Sequence, residues 1–215
     1  GWAYENEYLD TLPRKVNGNC AKVPLPDPQP IPFTLSEVKA LWETATTKTK
    51  FSRKSNHNAL YILLGLNLGY RSKDIATLKH EHLVEHEGRL LIVRKREKTG
   101  SPQIHRLWPL TEKLLREEMT DPAEHENVLL DERGGKLVVE FIDAKTSHTD
   151  CIGRCFNRLK EKLKWKGPNK GHSVLRDTTA QVLKDKGFPK HVIKQFLGHK
   201  ERDVVRHYVT ESIES

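Results

Sequence analysis

Near its C-terminal end the chain carries Leu197-Gly198-His199 and, nine positions after the histidine, Tyr208. Two arginines lie upstream, in Gly69-Tyr70-Arg71 and in Leu175-Arg176-Asp177-Thr178. Two guanidiniums, an imidazole and a phenol suit one task, nucleophilic attack on a phosphodiester without a metal. An unassisted phenol is a poor nucleophile: with a pKa near 10, roughly 0.1% is phenolate at neutral pH. Neighbouring cations favour the phenolate and lower that pKa. The same cations neutralise the phosphodiester and hold the extra charge of a pentacoordinate transition state. Arginine suits the role because its planar fork meets two phosphate oxygens and stays protonated. A leaving sugar oxygen then needs a proton, which lysine or histidine can give. Taken singly, each residue has a plainer use: an arginine in an ion pair, His199 ending a helix, Tyr208 packing in the core. Their combination gives the chemical reading its weight.

The bulk properties agree with that reading. A length of 215 residues fits one sizeable domain with an appendage. The net charge of +8, from 37 Lys and Arg against 29 Asp and Glu, points to a polyanionic partner, with nucleic acid the leading one. Positive charge favours phosphate contact but says nothing about which bases are read. No apolar run reaches the length of a membrane span, so no membrane partner is expected. The N-terminal residues also lack a signal-peptide pattern. Three cysteines, Cys20, Cys151 and Cys155, are too sparse for a disulfide framework and point to a reducing, cytoplasmic compartment. With His148 they hint at zinc, but a fourth ligand is missing and the spacing fits one helix face. No metal and no other cofactor is expected.

These residues need elements to position them. Residues 1–32 read as an arm and linker: Trp2, Tyr4, Tyr8 and Leu9 could dock on something. Pro24, Pro26, Pro28, Pro30 and Pro32 alternate as an extended strap. Residues 33–215 form the second unit. Thr34-Leu35-Ser36-Glu37 has the capping-box form ahead of Val38, Leu41 and Trp42. A second helix is predicted from about Asn56 to Leu68, ending at Gly69, with a short one from Ser72 to Leu78. Arg71 then sits at a helix-to-helix turn. The period changes at Arg89-Leu90-Leu91-Ile92-Val93, a strand whose partner is Gln103 to Leu107. Between them Glu97-Lys98-Thr99-Gly100-Ser101-Pro102 places Lys98 at or near a hairpin tip. Helical spacing returns around Leu114 and from Ile152 to Leu163. Further helices are predicted at Val174 to Lys186 and Pro189 to Phe196, with Pro189 as a first-turn residue. A last helix carries Val204, Val205 and Tyr208.

In order and spacing these motifs resemble the catalytic domain of the tyrosine recombinases, or phage-type integrases, over about residues 33 to 211. Gly69-Tyr70-Arg71-Ser72-Lys73-Asp74-Ile75 is similar to the first arginine box, with Asp74 where glutamate is more usual. Lys98-Thr99-Gly100 is similar to the hairpin lysine, and Leu175 to Ala180 to the second arginine box. Leu197-Gly198-His199 with Tyr208 matches the third box and the nucleophile. The resemblance implies an α+β, mainly α-helical catalytic-domain fold with a small antiparallel β-hairpin or sheet. It implies strand cleavage and rejoining through a 3′-phosphotyrosyl link at Tyr208, with Arg71 and Arg176 clamping the phosphate. Lys98 would protonate the leaving 5′-oxygen and His199 would hydrogen-bond a non-bridging oxygen. The implied partner is double-stranded DNA, bound by a homo-oligomer of the full-length protein, a tetramer on paired sites. The linker would lead from an N-terminal DNA-binding domain. Two departures stand out. The family commonly has histidine or lysine three residues before the second arginine, where this chain has Ser173; His172 is one residue earlier. If a helix begins at Val174, the turn could still bring His172 into the site, and the reading favours it over Ser173. The tail after Tyr208 is only seven residues long. A type IB topoisomerase-like relaxation enzyme and a non-catalytic DNA-binding module of the same fold are the alternatives.

Overall fold

A computed structural model describes residues 31–47, 57–95, 100–139 and 149–199. Most of the arm and strap, the hairpin tip with Lys98, His148, and the last helix with Tyr208 lie outside the described residues.

Helix α1 (Leu35–Thr46) begins as its capping box dictates: the Thr34 hydroxyl accepts from the Glu37 amide at 3.2 Å, and the Thr34 amide donates to Glu37 Oε2 at 2.7 Å. Helix α2 (His57–Leu68) is apolar on every side, with nine of its twelve residues buried, so it can only be a central helix. It packs against α1, against α4 (Pro109–Glu118), against α5 (Cys151–Lys162) and against α6 (Val174–Asp185). Two apolar clusters meet on it. Leu60, Leu64 and Leu68 pack with Ile92 and Leu115, while Ile62 packs with Phe33, Leu41, Phe156, Leu159 and Leu175.

After the short α3 (Ser72–Ala76) the chain forms a three-stranded antiparallel sheet: β1 (Leu83–His86), β2 (Arg89–Lys95) and β3 (Pro102–Arg106), in that order. Leu83 lies opposite Ile92, and Ile92 opposite His105. Alternation turns Leu90, Ile92 and Arg94 of β2 and Gln103 and His105 of β3 inward. Strand β1 was not expected. Its turn to β2 is Glu87-Gly88, both at positive φ (49° and 68°), a primed two-residue hairpin turn made without the usual Asn-Gly or Asp-Gly.

The short β4 (Val138–Val139) pairs with β5 (Thr149–Asp150) just before α5, which Asp150 caps by accepting from the Gly153 amide at 2.8 Å. Cys151 and Cys155 lie along α5 as free thiols. Helix α7 (Lys190–Phe196) follows α6, and Pro189 is its N-cap rather than its first-turn residue. Helix α3 ends at Ala76, two residues earlier than expected, with Thr77 as its C-cap. The described architecture is α+β and mainly helical. Among the described residues no helix is long and apolar enough to cross a membrane.

Candidate active site

The sequence Leu197-Gly198-His199 ends α7 in a Schellman turn. The His199 amide donates back to the Lys194 carbonyl at 2.9 Å, and the Gly198 amide to the Gln195 carbonyl at 2.8 Å, with Gly198 at φ 63°. Glycine is needed there because a side chain is strained in the left-handed region. The turn folds His199 back over α6, where Arg176 is 2% exposed. The Arg176 guanidinium reaches the C-terminal ends of two helices. It donates to the Gly69 carbonyl beyond α2 at 2.6 Å and to the Leu197 carbonyl beyond α7. Helix ends leave such carbonyls without intrahelical partners, so the arginine satisfies both while tying the helices together. Its Nη2 also lies 3.1 Å from His199 Nε2. A guanidinium can only donate, so Nε2 accepts and the imidazole is neutral, with its proton on Nδ1.

Gly69 makes this junction possible. Its φ is +64°, and a Cβ there would lie 3.0 Å from Leu197 Cδ2 and 3.4 Å from Phe196 Cε1. Two residues on, Arg71 is exposed at the N-cap of α3, and its amide donates to Asp74 Oδ2 at 3.0 Å. Asp74 thus closes the first turn of α3 by accepting from the N-cap amide. Arg71 lines a cleft of about 320 Å³ with Asp150, Asn157, His172 and Ser173. Asp177, one residue after Arg176, feels the charge of both arginines. Burial pushes its carboxyl above the usual range, and the charges of Arg71 and Arg176 both pull it back.

His172 is held differently from Ser173. It borders the cleft, but its ring is buried, edge-on to Phe156 at 5.8 Å between centroids, with Nε2 2.9 Å from the Tyr61 carbonyl of α2. Burial holds its pKa below the usual histidine value, so the ring is neutral and donates from Nε2. The turn absorbs no extra residue: Ser173 already has helical dihedrals (φ −58°, ψ −24°) and stands exposed on the cleft. The structure therefore brings Arg176 and His199 together, places Arg71 on the adjoining cleft, and directs the His172 ring into the core.

Beneath these groups lies a layer that sequence reading did not single out. Tyr70, Arg94, Gln103 and His105 are all buried. Arg94 donates to the Asp74 carbonyl at 2.8 Å and to the Thr77 hydroxyl at 3.2 Å, with its guanidinium 5.7 Å from the Tyr70 ring centroid. The available signal was three polar residues at inward strand positions.

The family model described as the phage integrase family matches residues 33–214. The chain belongs to the phage integrase family. Among solved structures this integrase-family chain resembles the site-specific recombinase XerH in a post-cleavage complex with palindromic difH substrate. The identity is 19%, over 80% of this chain and 47% of that one, with a TM-score of 0.59. XerA recombinase is 21% identical over 83% of this chain and 59% of that one, at a TM-score of 0.57. The catalytic core of lambda integrase is 18% identical over 80% of this chain and 93% of that core, at a TM-score of 0.53. At such identities the likeness is one of fold, and this chain spans about half the length of XerH. No curated protein sequence gives a significant match.

Proposed function

We propose that this chain is the catalytic domain of a site-specific DNA recombinase that breaks and rejoins strands through Tyr208 without metal. The observation that carries the reading is the Arg176–His199 pair at the joined ends of α2 and α7, with Arg71 on the adjoining cleft. The Tyr208 phenolate, its proton released to solvent, attacks the scissile phosphorus. The bond to the 5′-oxygen breaks, Lys98 supplies the proton that oxygen needs, and a 3′-phosphotyrosyl link remains. A 5′-hydroxyl from another strand reverses the step, so bond energy is kept. Arg71 and Arg176 hold the phosphate and its developing charge. His199, held by Arg176 at Nε2, carries on Nδ1 the proton that faces a non-bridging oxygen. Ser173 occupies the cleft position before the second arginine, and His172 supports the turn from below. XerH bound to its difH substrate and lambda integrase bound to a core site supply the precedent for double-stranded DNA as partner. Action as a homo-oligomer on paired sites, within the reducing cytoplasm, fits the same reading.

A nicked suicide duplex resolved by denaturing electrophoresis tests it. A covalent protein–DNA band is expected for the wild type and not for Tyr208→Phe. A band that persists in that variant would overturn the assignment of the nucleophile.

A further inference from the structure

Three buried side chains and the half-buried Phe196 form one stack under the site, each from a different element. Arg94 of β2 lies over Tyr70, the residue before Arg71. The Tyr70 ring meets His105 of β3 edge-on, with centroids 5.6 Å apart at 88°. His105 in turn meets Phe196, the last residue of α7, with centroids 5.2 Å apart at 89°. Gln103, two residues earlier on the same inward strand face, donates to the Phe196 carbonyl at 3.4 Å. Edge-to-face contacts of this kind favour one relative orientation of the rings.

The ends of the stack are the segments that carry chemistry. Tyr70 is bonded to Arg71. Phe196 directly precedes Leu197, whose carbonyl holds Arg176, and is three residues from His199. The strands β2 and β3 pair as far as Lys95 opposite Pro102. The His105 ring meets both Tyr70, next to Arg71, and Phe196, at the end of α7.

We infer that His105, assisted by Gln103, is a positioning residue that ties the β2–β3 hairpin to the end of α7 and so sets His199 against Arg176. This rests on the recombinase reading for its catalytic consequence, but not for its structural one. The neighbours of the ring are Tyr70 from the turn before α3, Phe196 from α7, Arg94 from β2, Arg176 from α6 and Asp74 from α3. Burial, with the charges of Arg176 and Arg94, holds its pKa down to about 4 against the smaller pull of Asp74. The ring therefore packs as a neutral group between two buried cations and adds no third charge.

The test uses the full 215-residue chain with ¹⁵N-labelled histidine. In the wild type the His199 nitrogens should show a proton on Nδ1 and an accepting Nε2. In His105→Ala that signature should collapse toward mixed tautomers, and His105→Phe, which keeps a ring in the stack, should restore it. On the nicked duplex, His105→Ala should slow covalent-complex formation about 10- to 100-fold while leaving noncovalent DNA affinity nearly unchanged. In a His199→Ala background the same substitution should add little, because both act through one group. Unchanged His199 nitrogen shifts in His105→Ala, or an equal slowing in the His199→Ala background, would overturn the inference. If His105→Ala fails to fold, Gln103→Leu carries the same readouts. A wild type that forms no covalent complex would sink the recombinase reading alone, and the nitrogen shifts would still decide the role of His105.

Discussion

Arg176 is buried and bonded to the ends of two helices, whereas Arg71 stands exposed at the start of a short one. The two residues look alike in sequence and serve the same proposed phosphate, yet the fold treats them differently. Arg176 is part of the scaffold: without it the carbonyls of Gly69 and Leu197 lose their donor and α7 loses its tie to α2. Arg71 is presented by the scaffold and supports little of it. A site built this way has one cation whose position the core dictates and one that can adjust to its ligand.

The contrast is broken most sharply by paired truncations. Arg176→Ala should lower unfolding stability in urea by about 3 kcal/mol, since it strands two buried carbonyls and removes a charged donor. Arg71→Ala should stay within about 0.5 kcal/mol of wild type in the same titration, yet lose at least about 100-fold in covalent-complex formation. Equal destabilisation by the two would erase the distinction.

Next in size is the joint itself. Gly69→Ala places a Cβ at a φ of +64° and 3.0 Å from Leu197 Cδ2, so it should cost about 1–2 kcal/mol by the same measurement. A Gly69→Ala protein as stable as wild type would mean that the two helix ends are not closely locked.

A smaller effect concerns how the chain enters the domain. Lys170 donates to the Pro32 carbonyl at 2.9 Å and to Glu37 Oε2 at 2.7 Å, and the Phe33 amide donates to the Thr178 hydroxyl at 2.9 Å. Burial pushes the Glu37 carboxyl up, but the Lys170 hydrogen bond, the Thr34 amide and the Lys170 charge outweigh it and hold the pKa below 4.5. The unfolded chain therefore binds the proton more readily. The stabilisation is present above pH 4.5 and is lost as pH falls from there through the folded-state value. Melting curves at descending pH should fall less steeply for Glu37→Gln than for wild type.

The smallest effect is at Asp177, which feels the charge of both arginines. Its raised pKa means that the folded state prefers the protonated acid, so ionisation weakens folding at neutral pH. Asp177→Asn should raise the melting temperature slightly at pH 7 and hardly at all near the ordinary aspartate value of 3.8.

Much of this was legible before any coordinates. Thr34 to Glu37 marked the capping box of α1, and the helices expected from about Asn56 to Leu68 and from Pro189 to Phe196 are α2 and α7, the second stopping before Leu197-Gly198-His199. Strand β1 was hidden because Glu87-Gly88 is a weak local signal for a tight hairpin. The orientation of the His172 ring was not legible because spacing along a loop does not say which side chain faces inward. That was decided by the Tyr61 carbonyl and Phe156, 111 and 16 residues away in the chain. Arg94, Gln103 and His105 occupy inward strand positions where apolar residues are the rule, and only their distant partners explain them.

Helix α2 has a consequence for how the site comes and goes. Its carbonyls at Tyr61 and Leu66 take His172 and Thr179, Gly69 just beyond it takes Arg176, and the Asn67 side chain bonds the backbone of Arg106 and Trp108. Both halves of the described site are thus fastened to one element that has no solvent-facing side on which to fray. Local opening that frees α7 or the hairpin leaves this helix in place, whereas loss of the helix dissolves every attachment at once. In hydrogen-exchange terms its amides should be among the slowest in the chain, exchanging only with global unfolding. The Arg176 and His172 attachments therefore stand or fall with α2, while the contact of His199 with Arg176 also needs α7 in place.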